Sequence, residues 1–254
     1  MVIAFGEGLP AVDRDWETVL DFGHKFVILK SSEGGTRNRK GEKGKGFIDK
    51  VTPHNATEIR KIGGVLLTYY HYALPRLTPY KKIGNHIDDA VDEATWFMDV
   101  VDSYGPELQP DLPLALDLEE DQDEMEGKLL LEWTIAFLQT IEKRKGYKPF
   151  LYISPKYVRK LNDDGVYQNL DQYPLWPANY TDSNNSTNQD FEAIQGKRLR
   201  EPKENRFAPW ADWVIWQYHS NVNVPGIDGV DGNWASPTLK DLILPDRRRA
   251  TLGS

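Results

Sequence analysis

The stretch "LALDLEED", residues 114–121, is an apolar run that ends in acids. Side chains of a β-strand alternate between its two faces, so Asp117 and Glu119 share one face while Leu116 and Leu118 occupy the other. Successive residues on one face lie about 6.5–7 Å apart, close enough for each negative charge to raise the pKa of the other acid. The stretch therefore predicts a buried strand that ends with two acids facing one space.

Short apolar runs alternate with helical patterns on both sides of this strand. The other apolar runs are "MVIAF", "KFVILKSSEGG", "VLLTYYHYALP", "KPFLYISP", "YPLWPANY", "DWVIWQYHS" and "GVDGNWA". Helical patterns occur in "DWETVLDFG", "NATEIRKIGG", residues 85–105, "GKLLLEWTIAFLQTIEKRKG" and "PKYVRKL". Alternating strands and helices favour a parallel sheet, and eight strands allow it to close into a barrel. The sequence predicts an α/β fold, a single TIM-like β/α barrel of eight strands and about five helices, made irregular by a helix-poor last third.

The composition excludes several classes of protein. The 254 residues can form one sizeable core, and their net charge of −8 implies no basic face for a polyanion, so nucleic acid is excluded as the main partner. Without cysteine the chain has no disulfide, thiolate metal site or cysteine nucleophile. No stretch approaches the roughly 20 apolar residues of a membrane span, so no membrane insertion is expected. "MVIAFGEG" lacks the basic start of a signal peptide.

The paired acids have two interpretations. An acid whose pKa is raised by its neighbour stays protonated near neutral pH, as a general acid must when it protonates a glycosidic oxygen. The ends of barrel strands usually carry such groups. The simpler interpretation is that both acids decorate an exposed strand end. The "EEDQDEMEG" run, which includes the second acid, lacks the ligand spacing of a calcium loop and is predicted to be a solvated turn.

Other predicted strand ends carry side chains suited to sugars. Aromatic faces stack on sugar rings and polar tips supply hydrogen bonds. The candidates for substrate binding are Tyr70, Tyr152, Trp176, Tyr180 and Gln217. Their joint placement favours the hydrolytic interpretation of the acids.

Six segments in order resemble the glycoside hydrolase family 25 lysozymes, the muramidases of bacteria, fungi and phage endolysins. They are "FVILKSSEGG", "TYYHYALP", "LALDLEED", "GYKPFLYISP", "YPLWPANY" and "WVIWQYHSNVNVPGIDGVDGN", and the resemblance spans roughly residues 2 to 235. It implies a flattened barrel and cleavage of the β-1,4 bond between N-acetylmuramic acid and N-acetylglucosamine in peptidoglycan. It also implies no metal and no cofactor.

The resemblance assigns a role to individual acids. Glu119 matches the family's proton donor. Asp117 matches the acid that stabilises an oxazolinium-like intermediate or steers the substrate acetamide. Asp231, in "GVDGN", matches the acid of the last strand, and Glu33 is placed at the rim of the site.

The first predicted strand departs from the family pattern. Family members usually begin with Gly-Ile-Asp-Val-Ser, whereas this chain reads "IAFGEGLPAVDRDW". The usual aspartate aligns with Gly6, or with Glu7 if the loop is one residue shorter, so Glu7 is a candidate catalytic acid. The departure keeps alternatives open: a catalytically weak or inactive glycan-binding barrel, a hydrolase of another β-linked N-acetyl sugar polymer, or a structural protein of a phage. A family 18 chitinase is disfavoured because its longer Asp-x-x-Asp-x-Asp-x-Glu run is missing.

These expectations fix the predicted organisation and setting. Residues 1–240 are expected to form the hydrolase domain and residues 241–254 a C-terminal tail. The expected partner is the glycan strand of peptidoglycan, and the protein is expected to be a monomer. It is expected to act on the cell wall, either extracellularly or after delivery by a phage, although no export signal is recognised.

Overall fold

The computed structural model describes residues 2–5, 15–21, 24–36, 46–77, 86–121, 124–162, 169–180, 189–190 and 207–245. The strands within these ranges are β1 (Val2–Phe5), β2 (Phe26–Glu33), β3 (Phe47–Ile48), β4 (Leu66–Tyr72), β5 (Ala115–Leu118), β6 (Phe150–Ile153), β7 (Leu175–Pro177), β8 (Gln189–Asp190), β9 (Ile215–Val224) and β10 (Ile227–Ala235). The α-helices are α1 (Trp16–Asp21), α2 (Thr52–Ile62), α3 (His86–Ser103), α4 (Gly127–Lys145) and α5 (Pro155–Leu161). Short 3₁₀ helices span Pro106–Leu108, Leu170–Gln172 and Pro237–Leu242.

The strands form one mostly parallel sheet. Its order is β7-β6-β5-β4-β2-β1-β10-β9-β8, with β3 paired to the end of β2. The first six strands of this order run parallel to their neighbours, whereas β10 is antiparallel to both β1 and β9. The predicted α/β class is therefore confirmed.

The predicted closed barrel of eight strands is not confirmed, because the ladders form an open path. Where a closed barrel would pair β7 with β9, the described residues form no ladder. They form one isolated parallel bridge, between Ala178, just after β7, and Gln217 of β9. Strand β7 is only three residues long and ends at Pro177, which has no N–H group to continue the pairing. Among the described residues of the last third, β9 and β10 form an antiparallel hairpin, whereas a regular barrel would have parallel strands joined by helices.

Side-chain alternation divides the core into two layers. Along β5, Leu116 and Leu118 belong to a cluster on the helix side of the sheet, which includes Leu29, Phe97 and Phe137. Ala115 belongs to an inner cluster on the other face, which includes Phe26, Ile28, Phe150, Tyr152 and Trp176. The face on which Ala115 lies continues toward the acids, so the inner cluster forms the floor beneath them.

The helix ends follow from local sequence. Helix α4 stops at Gly146, whose φ of 75° is the left-handed conformation that glycine adopts most easily, and the Gly146 N–H donates to Glu142 O at 2.9 Å. The helical pattern "GKLLLEWTIAFLQTIEKRKG" in the sequence ends at this glycine. Within the described ranges, no helix is both long and apolar enough to span a membrane.

The chain continues to contact the sheet beyond residue 240. Leu242 and Ile243 pack against the inner cluster, and the Leu244 N–H donates to Asp111 O at 2.8 Å. The division between residues 1–240 and 241–254 stays a prediction.

Candidate active site

A cleft of about 420 Å³ lies at the carboxyl ends of the parallel strands. Catalytic groups of β/α folds are mounted at this edge, because several strand ends converge there. The cleft is lined by Lys30, Glu33, Tyr70, Tyr72, Asp117, Glu119, Glu120, Tyr152, Trp176, Gln217 and Asp231.

The paired acids of β5 both face this cleft, as the strand period predicts. Asp117 lies on β5 beside Tyr72 and Tyr152, its register partners on β4 and β6, and is 7% exposed. Burial raises the pKa of Asp117 well above its usual value, the charge of Glu119 raises it further, and Lys30 opposes both effects. Among the described residues, Asp117 Oδ1 has no hydrogen-bond partner.

Glu119 lies just beyond β5 at the mouth of the cleft. Its side chain is accessible to solvent, yet partial desolvation by surrounding protein raises its pKa. A hydrogen bond from the Tyr152 hydroxyl lowers the pKa of Glu119, and the neighbouring charge of Glu120 raises it. The net shift is upward, which is the direction that a proton donor requires.

The third acid, Asp231, enters the cleft from a strand that is four positions away from β5 in the order of the sheet. It lies on β10 opposite Ala4 of β1. Burial and the charge of Glu119 raise the pKa of Asp231 to about 8, against a hydrogen bond from Gln217 that lowers it. Asp231 is followed by Gly232, where a Cβ atom would lie only 2.5 Å from Cζ of Tyr218.

A hydrogen-bonded group of polar side chains links these acids. The Tyr152 hydroxyl donates to Gln217 Oε1 at 2.6 Å, and the Tyr180 hydroxyl lies 3.4 Å from the same atom. The Trp176 indole N–H donates to Asn233 Oδ1 at 2.8 Å. The Trp176 and Tyr152 rings pack edge to face at 4.9 Å on the floor of the cleft, which stabilises their arrangement.

An ion pair occupies another side of the cleft. Lys30 Nζ lies 2.8 Å from Glu33 Oε2. The same ammonium group lies 4.7 Å from the ring centroid of Tyr72 and 5.5 Å from that of Phe47, which is 44% exposed. Lys30 is the one cation among the described residues that line the cleft, where five acids are found.

The structure brings most of the predicted site residues together. The predicted residues that line the cleft are Asp117, Glu119, Asp231, Glu33, Tyr70, Tyr152, Trp176 and Gln217. Tyr180 does not line it but contacts Gln217. Glu7 lies outside the described residues. Within the ranges that the structure describes, no group of three or more His, Asp or Glu side chains is arranged to hold a metal ion.

Three lining residues were missed by the sequence analysis. Tyr72 could have been found, because it lies two residues after Tyr70 and so on the same face of β4. Lys30 could have been found in the same way from the inward-facing Ile28. Glu120 follows β5 and carries no such signal.

Comparison with known proteins identifies the family. The family model described as "Glycosyl hydrolases family 25" matches residues 11–227. The chain belongs to glycosyl hydrolases family 25. Among curated relatives, an uncharacterized protein of Escherichia coli strain CFT073, YegX, is 27% identical over 234 residues, which cover 90% of this chain and 67% of YegX.

Solved structures share the family 25 fold. The spore cortex lytic enzyme SleM of Clostridium perfringens has a TM-score of 0.68 at 22% identity, covering 94% of this chain and 71% of SleM. A lysozyme of Streptomyces coelicolor has a TM-score of 0.65 at 18% identity, covering 94% of this chain and 93% of the other. The catalytic domain of endolysin ply40, from a Listeria monocytogenes bacteriophage, has a TM-score of 0.63 at 21% identity, covering 95% of each chain.

Proposed function

We propose that this family 25 glycoside hydrolase cleaves the β-1,4 bond between N-acetylmuramic acid and N-acetylglucosamine in peptidoglycan. The observation that carries the proposal is the meeting of Asp117, Glu119 and Asp231 in one cleft. These acids come from strands at different positions in the sheet, β5 and β10, so a merely decorated strand end does not account for their convergence. The names of the structural neighbours, a lytic enzyme, a lysozyme and an endolysin, support the same substrate.

We propose Glu119 as the proton donor to the oxygen of the leaving sugar. It lies at the mouth of the cleft, where a glycan can reach it, and its pKa is raised, which favours the protonated form that a proton donor needs. Asp117 and Asp231 lie deeper and stabilise positive charge that develops at the cleaved sugar. Burial raises the pKa of both acids, so the nearby Lys30 charge favours ionisation of Asp117, and the positive charge of the transition state favours ionisation of either acid.

The aromatic residues have two different roles in this proposal. Tyr70 and Trp176 are 6% and 2% exposed, so they form the floor that fixes the shape of the cleft. Tyr72 is more exposed and offers a ring face to a sugar. Gln217, Glu33 and the tyrosine hydroxyls supply hydrogen bonds to the substrate.

The finer architecture and setting belong to the same proposal. We propose that the eight strands other than β3 and β8 form a flattened, irregular TIM-like barrel. Hydrogen bonds from Asn179 N to Gln217 O (3.1 Å) and from Val214 N to Leu175 O (2.9 Å) support closure between β7 and β9. The protein acts as a monomer on glycan strands of the cell wall, extracellularly or delivered by a phage.

The decisive experiment measures the release of reducing ends from purified peptidoglycan by the wild type and by Glu119→Gln. Removing a general acid is expected to lower the rate by about 10²- to 10⁴-fold. The matched control is Glu107→Gln, an exposed residue outside the cleft, which is expected to keep the wild-type rate. Equal background release by the wild type and Glu119→Gln would reject the hydrolase and favour a glycan-binding barrel.

Glu7 is tested separately, since the usual first-strand aspartate is absent from the sequence. We propose that the Glu7 carboxylate substitutes for it with a longer arm. Glu7→Gln is then expected to lower kcat by at least about 10-fold, because catalytic groups tolerate little misplacement or loss. Unchanged turnover would make Glu7 a bystander without affecting the assignment of Glu119.

A further inference from the structure

Strand β2 contains one extra residue where it enters the cleft. Lys30 pairs with Tyr70 of β4, but the next pair joins Ser32 to His71, so Ser31 has no partner of its own in the ladder. The hydroxyl groups of Ser31 and Ser32 lie 3.3 Å apart. An extra residue of this kind is a β-bulge, which interrupts the alternation of side chains.

The bulge places Lys30 and Glu33 on one face of β2. In a regular strand, residues three apart point to opposite faces. Here both residues line the cleft and form an ion pair at 2.8 Å. Two backbone contacts hold the bulge from outside: the Asp49 N–H donates to Ser31 O at 3.0 Å, and the Thr52 hydroxyl donates to Lys30 O.

Buried side chains fasten the bulge to the helix layer. Ser32 Oγ lies 2.9 Å from His71 Nδ1, and His71 Nε2 lies 3.1 Å from Glu93 Oε2 of α3. All three side chains are fully buried. The Glu93 carboxyl group also accepts a hydrogen bond from Leu74 N at 3.1 Å, so it anchors the chain after β4 as well.

The aromatic rings around His71 leave it little freedom. Its ring lies between Phe97 of α3 and Phe137 of α4, with centroid distances of 5.3 Å and 5.5 Å. A side chain so enclosed fixes the position of whatever it hydrogen-bonds. Ser32, His71 and Glu93 form a hydrogen-bonded relay that is fully buried, so no substrate atom reaches it. Any influence of this relay on the cleft must therefore pass through β2.

We propose that Ser32, His71 and Glu93 are positioning residues, which hold the bulge that sets Lys30 beside Glu33 in the cleft. The relay is a row of hydrogen bonds from helix α3 to the strand that bears the ion pair. Its effect on catalysis rests on the proposed function, whereas its effect on the geometry of Lys30 and Glu33 does not.

A double-mutant cycle separates positioning from a general structural role. The variants are Ser32→Ala, Glu33→Gln and the double variant, assayed for kcat and KM on peptidoglycan. Ser32→Ala is expected to lower kcat/KM by about 10-fold, since a displacement of about 1 Å at a site can lower the rate by as much as 100-fold. In the Glu33→Gln background the same change is expected to have less than about a twofold effect. Multiplicative losses, or a Ser32→Ala variant as active as the wild type, would overturn the proposal.

A second pair of variants covers the case in which Ser32→Ala does not fold. In His71→Asn the amide group reaches the place of Nδ1 and keeps the contact with Ser32. In His71→Gln it reaches the place of Nε2 and keeps the contact with Glu93 instead. The Asn variant is expected to retain at least about fivefold more kcat/KM than the Gln variant. Equal values in the two variants would contradict the proposal.

A crystal structure of Ser32→Ala tests the geometry without any assay. The separation of Lys30 Nζ and Glu33 Oε2 is expected to exceed about 4 Å, the limit for an ion pair. An unchanged pair would overturn the positioning role. If wild-type protein releases no sugar, the proposed function fails while this structural result still decides the inference.

Discussion

The hydroxyl group of Tyr152 lies 3.5 Å from Oε2 of Glu119 and donates its stronger hydrogen bond, at 2.6 Å, to Gln217. The distance to Glu119 is long for a hydrogen bond, so this contact is weak and restricts the position of the carboxyl group only loosely. Tyr152 thus connects the acid at the cleft mouth with the amide of β9. The pKa of Glu119 depends on this contact, because the hydroxyl group stabilises the ionised form.

The first prediction concerns the pH profile of Tyr152→Phe. Loss of the hydroxyl group removes an effect that lowers the pKa of Glu119, so that pKa rises. A general acid works only while protonated, and the alkaline limb of kcat/KM is therefore expected to move to higher pH. Tyr173→Phe, whose hydroxyl group contacts Glu142 outside the cleft, is the control and should leave the limb in place. An alkaline limb that moves to lower pH in Tyr152→Phe would contradict the assignment of Glu119.

The second prediction concerns Lys30→Met. The ammonium group lowers the pKa of both Asp117 and Glu119, so its removal raises both values. If Asp117 must be ionised, the acidic limb of kcat/KM is expected to move to higher pH, and the rate at about pH 5 to fall by roughly 10-fold or more. The control is Lys148→Met, which removes a cation outside the cleft. Identical acidic limbs in Lys30→Met and the wild type would show that Lys30 does not act on the acids.

The third prediction concerns stability and Glu93. Burial raises the pKa of Glu93 from its ordinary 4.5 to about 8. Between these values the folded state binds more protons than the unfolded state, so the contribution of Glu93 is full below pH 4.5 and is lost as pH rises through about 8. Glu93→Gln removes this loss. Between about pH 6 and pH 9 the Tm of Glu93→Gln is expected to fall by several degrees less than that of the wild type, because the wild type loses about 1.4 kcal/mol for each pH unit between about 6 and 8.

Two neighbouring groups, Asp89 and His71, also make the stability of the fold depend on pH. Burial and the charge of Glu93 raise the pKa of Asp89 to about 7, so its contribution is lost in the same direction, and Glu93→Gln removes the part that the Glu93 charge causes. His71, whose pKa burial lowers to about 3, acts in the opposite direction, since its contribution is lost as pH falls below 6.5. Parallel Tm curves for Glu93→Gln and the wild type above about pH 6 would refute the buried, proton-binding state of Glu93.

The fourth prediction concerns a buried ion pair near the start of β4, at the end of the strand away from the cleft. Asp111 is 2% exposed, pairs with Arg60 and accepts a hydrogen bond from Leu67 N at 2.8 Å. Asp111→Ala is expected to lower the free energy of unfolding by about 3 kcal/mol, near the lower end for a buried pair, because Arg60 keeps some access to water. Asp99→Ala, which breaks an exposed pair with Arg144, should lower it by no more than about 1 kcal/mol. Denaturant unfolding measures both changes, and equal losses would contradict the burial argument.

The sequence predicted those parts of the site that depend on regular strands. Asp117 lies on β5 and Glu119 just beyond its end, and both line the cleft because the alternation of side chains continues one residue past the strand. Glu33 is different: period two would set it on the face opposite Lys30, and only its resemblance to the family motif placed it at the rim. The extra residue at Ser31 depends on partners in β4 and α3 that lie far along the chain, so the local pattern of β2 does not reveal it.

The last third of the chain shows a second limit. Two apolar runs were predicted there as separate barrel strands, and they form the antiparallel hairpin of β9 and β10. The turn between them contains Gly226, with a φ of 90°, which is a local signal for such a hairpin. The hairpin pairs with β1 through β10, and this pairing places Asp231 in the cleft. Because β1 and β10 lie near opposite ends of the described chain, a local sequence pattern does not reveal it.

Gly232 shows that the absence of an atom can be as important to this site as the presence of a carboxyl group. A methyl group at residue 232 would collide with the ring of Tyr218, so either this buried ring or the backbone that carries Asp231 would have to move. A natural variant of this kind would retain every acid of the cleft and still lose alignment of one of them. Inventories that recognise active family members by their acids alone would count such a protein as competent.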